Sequence, residues 1–129
     1  MLVRSAKPNI KSSGFTLLEI MIVVTIIGTL AAIAMPNFAK ARDNSRLNTI
    51  YSNLRQIDSA KERWALENRK RTGDAAELDD LLIYLRGGVL KDVMSETYVP
   101  NAVGERPVAA LPSGSSLGPF EQGAEIPAP

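Results

Sequence analysis

The sequence predicts an α+β fold, with a long N-terminal α-helix and a small globular head of one short helix and a minor antiparallel sheet. Residues 20–39 are 20 consecutive residues without a charge. Apolar residues then recur at helical spacing as far as about Asn68. Two short β-rich segments follow near the C-terminus. We therefore expect a helix whose first half lies in a membrane and whose second half forms the spine of the head.

The apolar segment has the length and the flanks of a membrane span. A helix of 20 residues spans about 30 Å, the thickness of a bilayer hydrocarbon core. Residues 1–14 form a basic leader, with Arg4, Lys7 and Lys11 and no acid. The positive-inside rule then predicts a cytoplasmic N-terminus, with the rest of the chain on the other side. Glu19 lies inside the apolar stretch, four residues from its start at Phe15, where a carboxylate either reaches the interface or has a partner or a role.

A cleaved secretory signal is the competing interpretation. The small residues Ala32 and Ala34 resemble a cleavage site that would release a chain beginning at Met35. Against this, the apolar run is long for a signal peptide, Glu19 interrupts it, and Pro36 would follow the cut by one residue. From the residues alone, both interpretations stay open.

The hexapeptide GFTLLE at residues 14–19, followed by IMIVVTIIGTLAAIAMPNF, resembles the N-terminus shared by type IV pilins and type II secretion pseudopilins. Gly28 and Pro36 also stand where that family has them. The resemblance implies that a prepilin peptidase cleaves between Gly14 and Phe15 on the cytoplasmic side. It also implies that Phe15 is then N-methylated, so that the leader is removed and the apolar helix is kept.

The resemblance further implies a role for Glu19 in assembly and register. Cleavage creates a charged amine on Phe15, and a charge in a dry environment needs an opposite partner. In the family, Glu19 of one subunit pairs with the Phe15 amine of a neighbour. The implied partners are the prepilin peptidase, copies of this chain and other pilin-like subunits, and an inner-membrane assembly platform. The implied location is the inner membrane, single-pass with the head in the periplasm, and then a periplasmic pseudopilus or a surface pilus.

Gly28 and Pro36 are predicted to weaken the long helix. Proline lacks an amide hydrogen and clashes with the carbonyl four residues earlier, so the helix should kink or open at Pro36. Gly28 lowers the helix propensity upstream. In filaments of the resembling family, the equivalent region can unwind.

The chain divides into four predicted segments. Residues 1–14 are the leader, and residues 15–39 are the transmembrane and assembly helix. Residues 40–111 form the helical spine and the small pilin-like head. Residues 112–129 are rich in Pro, Gly and Ser and are expected to be a mobile tail without a core.

Within the head, the apolar stripe that includes Trp64 is expected to pack in the core. A second helix is predicted after Asp74, with Glu77 completing a capping box, and it should end at Gly87 and Gly88. A small antiparallel sheet of two or three strands is then predicted, in which two strands pair as a hairpin across a Pro-rich connection. They are Glu96–Val99 and Val108–Leu111.

Composition argues against an enzyme. The chain has no Cys and no His, which excludes thiol nucleophiles, Ser-His-Asp triads and zinc sites with those ligands. No cofactor is expected, and the acidic residues near the C-terminus are too widely spaced for a calcium loop. The net charge of +1 makes nucleic acid an unlikely partner. A basic cluster that includes Lys61 and Lys70 is interpreted as charge that complements the C-terminal end of the helix dipole.

These observations predict a structural protein, a subunit of a type IV pilin-like filament. A head without Cys favours a type II secretion pseudopilin that supports protein export, because many surface pilins use a C-terminal disulfide loop. The alternative is a type IV pilus pilin, major or minor, for adhesion, motility or DNA uptake. The remaining alternative is a secreted soluble binding protein with a cleaved signal peptide.

Overall fold

The computed structural model describes residues 14–129, which form six elements. The chain divides into two compact units, one that ends at Asn37 and one that comprises Phe38–Pro129. Helix α1, Leu17–Glu67, is 51 residues long and contributes residues to both units. The predicted long N-terminal helix is therefore confirmed, and it ends one residue before the expected position.

In the first unit, α1 is apolar and its side chains are exposed. Its most apolar window has a mean hydropathy of 2.5, and none of it is buried within the chain. By length and composition, it is able to cross a membrane. The hydroxyls of Thr25 and Thr29 donate to the carbonyls of Met21 and Thr25, at 2.7 and 2.8 Å. These polar groups are thus satisfied inside the helix, as an apolar environment requires.

Helical geometry runs through both Gly28 and Pro36. The side-chain amide of Asn37 donates to the carbonyl of Ile33 at 3.1 Å, which adds a hydrogen bond beside the proline. The chain is therefore helical where we expected it to open. A weaker helix at these two residues stays a prediction.

In the second unit, α1 is the spine of the head, and the predicted apolar stripe forms its core. The short helix α2, Leu78–Leu81, and a 3-10 turn, Leu82–Tyr84, follow it. The predicted capping box is wrong. The N-cap residue of α2 is Glu77, which makes no side-chain capping bond, and the Asp74 carboxylate accepts from the amide of Arg71 at 2.8 Å. The α1 residues of the core are Ile50, Leu54, Ile57, Ala60, Trp64 and Ala65.

The sheet has three antiparallel strands in the order β1-β2-β3. Strands β1, Thr97–Val99, and β2, Val108–Ala110, form the predicted hairpin. In each strand only the central residue is buried, and Tyr98 pairs with Ala109. This alternation turns one face of the sheet toward the core.

The C-terminal segment differs from the mobile tail that its composition predicts. Residues 125–127 form strand β3, in which Ile126 pairs with Ala109 of the central strand. Leu117 and Ile126 are completely buried, and Ala128 is 5% exposed. The Pro, Gly and Ser residues form tight turns between these buried residues. Composition alone therefore did not show that the segment contributes to the core.

Candidate processing and assembly site

The predicted cleavage site lies immediately before α1. Gly14, Phe15 and Thr16 are outside the helix, and the side chain of Phe15 is 82% exposed. The peptide bond that joins Gly14 to Phe15 is therefore in an exposed, non-helical segment. Residues 1–13 of the predicted leader lie outside the described residues.

Glu19 forms a capping box with Thr16 at the first turn of α1. The Thr16 hydroxyl accepts from the amide of Glu19 at 3.2 Å, and the Glu19 carboxylate accepts from the amide of Thr16 at 3.3 Å. The two residues satisfy two otherwise unpaired amides of the helix N-terminus. The signal for this box, a Thr followed three residues later by a Glu, is present in the sequence, and our sequence interpretation missed it.

The capping box fixes where the Glu19 carboxylate lies. One of its oxygens is held at the amide of Thr16, the residue next to Phe15. A carboxylate has about four acceptor positions, and a single hydrogen bond from Thr16 leaves most of them available. The positive end of the helix dipole also favours a carboxylate in the first turn. Glu19 can therefore cap its own helix and still accept a cation from another chain.

The surroundings of Glu19 are apolar. Large apolar side chains lie on every side of the first turns of α1, and they are 47 to 82% exposed between Phe15 and Val24. If this surface is covered by lipid or by other helices, Glu19 loses water and needs a positive partner. The members of this surface are Phe15, Leu17, Leu18, Ile20, Met21, Ile22, Val23 and Val24.

Lys61 has a different role from the one that we predicted. It is 1% exposed, and its ammonium donates to the carbonyl of Pro100 at 2.8 Å and to that of Glu105. Asp58 lies 3.6 Å from the ammonium. Burial lowers the pKa of Lys61, and Asp58 opposes this shift. Lys61 therefore connects α1 to the β1–β2 loop. The ammonium of Lys70, the other lysine of the predicted basic cluster, lies 5.3 Å from the Trp64 ring centroid in a cation–π contact.

A second buried polar group joins α1 to the sheet. The Asn53 side chain donates to the Tyr98 hydroxyl at 2.8 Å and to the carbonyl of Lys91 at 3.0 Å. The Tyr98 hydroxyl in turn donates to Glu96 at 2.6 Å. Burial alone would raise the pKa of Glu96, but hydrogen bonds from Tyr98 and from backbone amides lower it below its usual 4.5. Burial and the bond to Glu96 raise the pKa of Tyr98, which therefore stays a donor.

No group of three carboxylates within residues 14–129 is placed to hold a metal ion. The acidic residues near the C-terminus, which are too widely spaced for a calcium loop, have other surroundings. Glu96 is bonded inside the head, and Glu105 and Glu125 are exposed.

Residues 9–35 match the family described as the prokaryotic N-terminal methylation motif. The chain is similar to the type IV major pilin protein PilA of Myxococcus xanthus, with 40% identity over 76 residues, 59% of this chain and 34% of that protein. It is similar to the type II secretion system core protein G of Klebsiella michiganensis, with 37% identity over 57 residues, 44% of this chain and 40% of that protein. It is also 44% identical over 57 residues to the type IV major fimbrial protein FimA of Dichelobacter nodosus, over 44% of this chain and 36% of that protein.

The chain spans about a third to a half of the length of the curated relatives that it matches. No solved structure is significantly similar to it. The matched relatives include both pilins and secretion proteins, and the similarity does not favour one over the other. The methylation motif, the long apolar helix and the small antiparallel sheet agree with one another, and the chain is similar in these features to type IV pilins and type II secretion pseudopilins.

Proposed function

We propose that this chain is a structural subunit of a type IV pilin-like filament and that it polymerises through the apolar half of α1. The observation that carries the proposal is the start of that helix. An exposed Phe15 follows the predicted cleavage position, and Glu19 lies one turn later with acceptor positions still available. A helix that is apolar on all sides buries itself in lipid or among other helices. A subunit that leaves the membrane and enters a filament is surrounded first by lipid and then by other helices.

In the proposed mechanism, a prepilin peptidase cleaves between Gly14 and Phe15 and N-methylates the new amine. The Glu19 carboxylate of an incoming subunit then pairs with the Phe15 amine of a neighbour already in the filament. A buried pair adds little net stability, but loss of one partner leaves the other charge buried, at a cost of about 3–5 kcal/mol. The pair therefore selects one axial register between neighbouring helices.

The charges on either side of the apolar segment support one orientation of the precursor in the membrane. The basic leader stays in the cytoplasm, and the precursor is a single-pass protein of the inner membrane with its head in the periplasm. Subunits leave the bilayer at an inner-membrane assembly platform, where other pilin-like subunits join the filament. The proposal includes no catalytic step by this chain.

The finer proposal is a type II secretion pseudopilus that supports protein export. Its support is the type II secretion protein G relatives and a head without cysteine. A surface pilus for adhesion, motility or DNA uptake is the alternative, and the pilin relatives support it.

Substitution of Glu19 tests the proposal. We expect Glu19→Ala and Glu19→Gln to abolish filaments while the subunit still accumulates in the membrane, because neither side chain carries the charge. Glu121→Ala is the matched control, since Glu121 is an exposed carboxylate of the head. The measurement is sedimentation and immunoblotting of filaments from the native host. Normal filaments in Glu19→Ala would contradict the pairing mechanism.

Deletion of this chain in the same host separates the two kinds of filament. A pseudopilin deletion should retain exported proteins inside the cell and leave surface fibres unchanged. A pilus subunit deletion should remove surface fibres and leave export unchanged. The second result would replace the pseudopilus with the pilus and keep the filament.

A further inference from the structure

We propose that a basic groove on the head binds an acidic segment of a second copy of this chain. The arginine groove is the concave surface that contains Arg55, Arg63 and Arg86. The acidic segment is residues 74–80. The inference rests on the proposed filament and adds the contact between the heads of neighbouring subunits.

The arginine groove lies between one face of α1 and residues 83–86 and has a volume of about 780 Å³. On the α1 side, Ser52, Gln56, Ser59 and Arg63 are spaced by four, three and four residues, which places them in one row on the helix surface. On the other side, Ile83 is 82% exposed. The groove thus offers polar and charged groups beside an uncovered apolar side chain.

The groove carries excess positive charge. It has three arginines and one carboxylate, that of Glu67, which already accepts from the Tyr84 hydroxyl at 2.6 Å. Within residues 14–129 the sole ion pair is Lys61 with Asp58, so no carboxylate lies within 4.0 Å of the groove arginines. A guanidinium presents donors in a planar fork that fits a carboxylate. The groove therefore fits a partner that carries several carboxylates.

The acidic segment has the complementary chemistry. It contains four acids and no base, and all four are exposed. Glu77, Asp79 and Asp80 have no hydrogen bond or ion pair through their carboxylates in the described part of the chain. Leu81 is completely buried next to them, which fixes the backbone that presents these carboxylates. None of these residues lines the groove.

If the arginine groove of each copy binds the acidic segment of the next copy, one repeated contact covers both surfaces. When two different surfaces of one chain bind each other, the contact is heterologous, and its repetition builds an open helical polymer when the rotation does not close a ring. That is the symmetry the proposed filament needs. Complementary charges fix register and orientation more than they add affinity. The arginine groove and the acidic segment would thus set how each head is oriented against the next.

Charge reversal tests the contact in full-length protein in the native host. We expect Arg55→Glu with Arg63→Glu to lower the amount of sedimented filament at least tenfold. Asp79→Lys with Asp80→Lys should do the same, and the two pairs together should restore filaments. Lys91→Glu with Arg106→Glu is the matched control, because both side chains are exposed and outside the groove. It should leave filaments unchanged.

Disulfide crosslinking gives a second readout that does not depend on the loss of filaments. The chain has no cysteine, so any disulfide joins introduced residues. Ser59→Cys in the groove with Ala75→Cys in the acidic segment should give a ladder of linked multimers on mild oxidation. Either substitution alone should give dimers at most.

The outcomes distinguish this inference from the proposed function. Filaments that depend on Glu19 but survive both reversals, without a crosslinked ladder, would overturn the head contact and keep the filament. Loss of filaments in the arginine variant without rescue by the acidic variant would mean that the groove binds another partner, such as a different subunit or an anionic lipid surface. An absence of filaments from the unaltered chain would overturn both.

Discussion

At the scale of single residues, the head depends on polar side chains that are buried together with their partners. Lys61 satisfies two carbonyls of the β1–β2 loop, and Asn53, Tyr98 and Glu96 form a bonded chain from α1 to the sheet. No buried side-chain nitrogen or oxygen among the described residues lacks a partner. Removal of one partner from such a group leaves the other unsatisfied, at a cost of about 1–3 kcal/mol. These residues should therefore be sensitive to small chemical changes.

Glu96→Gln tests this at one residue. The variant keeps the size of the side chain but loses the charge that accepts from Tyr98 and from the amides of Val93 and Met94. We expect a loss of about 1–3 kcal/mol in the free energy of unfolding at pH 7. Urea unfolding of the full chain in detergent measures it, with the exposed Glu125→Gln as control.

The pH dependence of the same variant has a defined sign. The pKa of Glu96 is lower in the folded chain than its usual 4.5, so the unfolded chain binds more protons between the two values. The stabilisation that ionised Glu96 contributes is complete above about pH 4.5, and it is lost as the pH falls through the lowered pKa of Glu96 in the folded chain. Glu96→Gln should therefore remove part of the acid-induced loss of stability. An identical acid limb in both proteins would contradict the role assigned to Glu96.

At the scale of elements, β3 is the strand that the sequence did not locate. It is three residues long, and only Ile126 is buried, so periodicity over so short a segment carries almost no information. Its pairing partner, Ala109, is completely buried. A strand of this kind is stabilised by one side chain and one edge of hydrogen bonds. The element therefore exists only because β2 offers that edge.

Ile126→Ala tests whether the C-terminal strand belongs to the core. Because Ile126 is completely buried, we expect a loss of about 2–5 kcal/mol in the free energy of unfolding. Glu125→Ala, at the exposed neighbouring residue, should change it by no more than about 0.5 kcal/mol. Thermal or urea unfolding of the full chain measures both. Equal small effects would mean that residues 112–129 form the tail that composition predicts.

At the scale of the whole molecule, the two units differ in how much apolar surface they expose, so they are stable in different environments. The described residues before Phe38 bury almost nothing within the chain, whereas the core of the head lies entirely in residues 50–128. A helix with this much exposed apolar surface is stable only when lipid or other helices cover it. The proposed cleavage after Gly14 would keep this helix, whereas cleavage before Met35 would remove it, so the two cuts predict different environments for the chain.

Intact-mass and N-terminal peptide analysis of the protein from host membranes tests the processing. We expect a chain that begins at N-methylated Phe15 and lacks residues 1–14. Gly14→Val should retain the leader, because a larger side chain then precedes the cut bond, while Gly28→Ala should be processed normally. A chain that begins at Met35 would lack Glu19 and the assembly helix, and it would replace the filament with a secreted binding protein.

The sequence by itself determined the features that depend on neighbouring residues. Helical spacing located α1 and its buried stripe, the hairpin was found from its two β-rich segments, and the motif of Gly14, Phe15 and Glu19 indicated the resemblance to pilins and pseudopilins. Only the tertiary structure decided the rest: β3, the burial of Lys61, the bonded chain from Asn53 to Glu96, and the arginine groove. The hydrogen bonds from Asn53 and Lys61 to the loops and the sheet join residues 38 to 45 positions apart. Local periodicity reports only on residues within a few turns of each other, so contacts at that separation become visible only when the chain is folded.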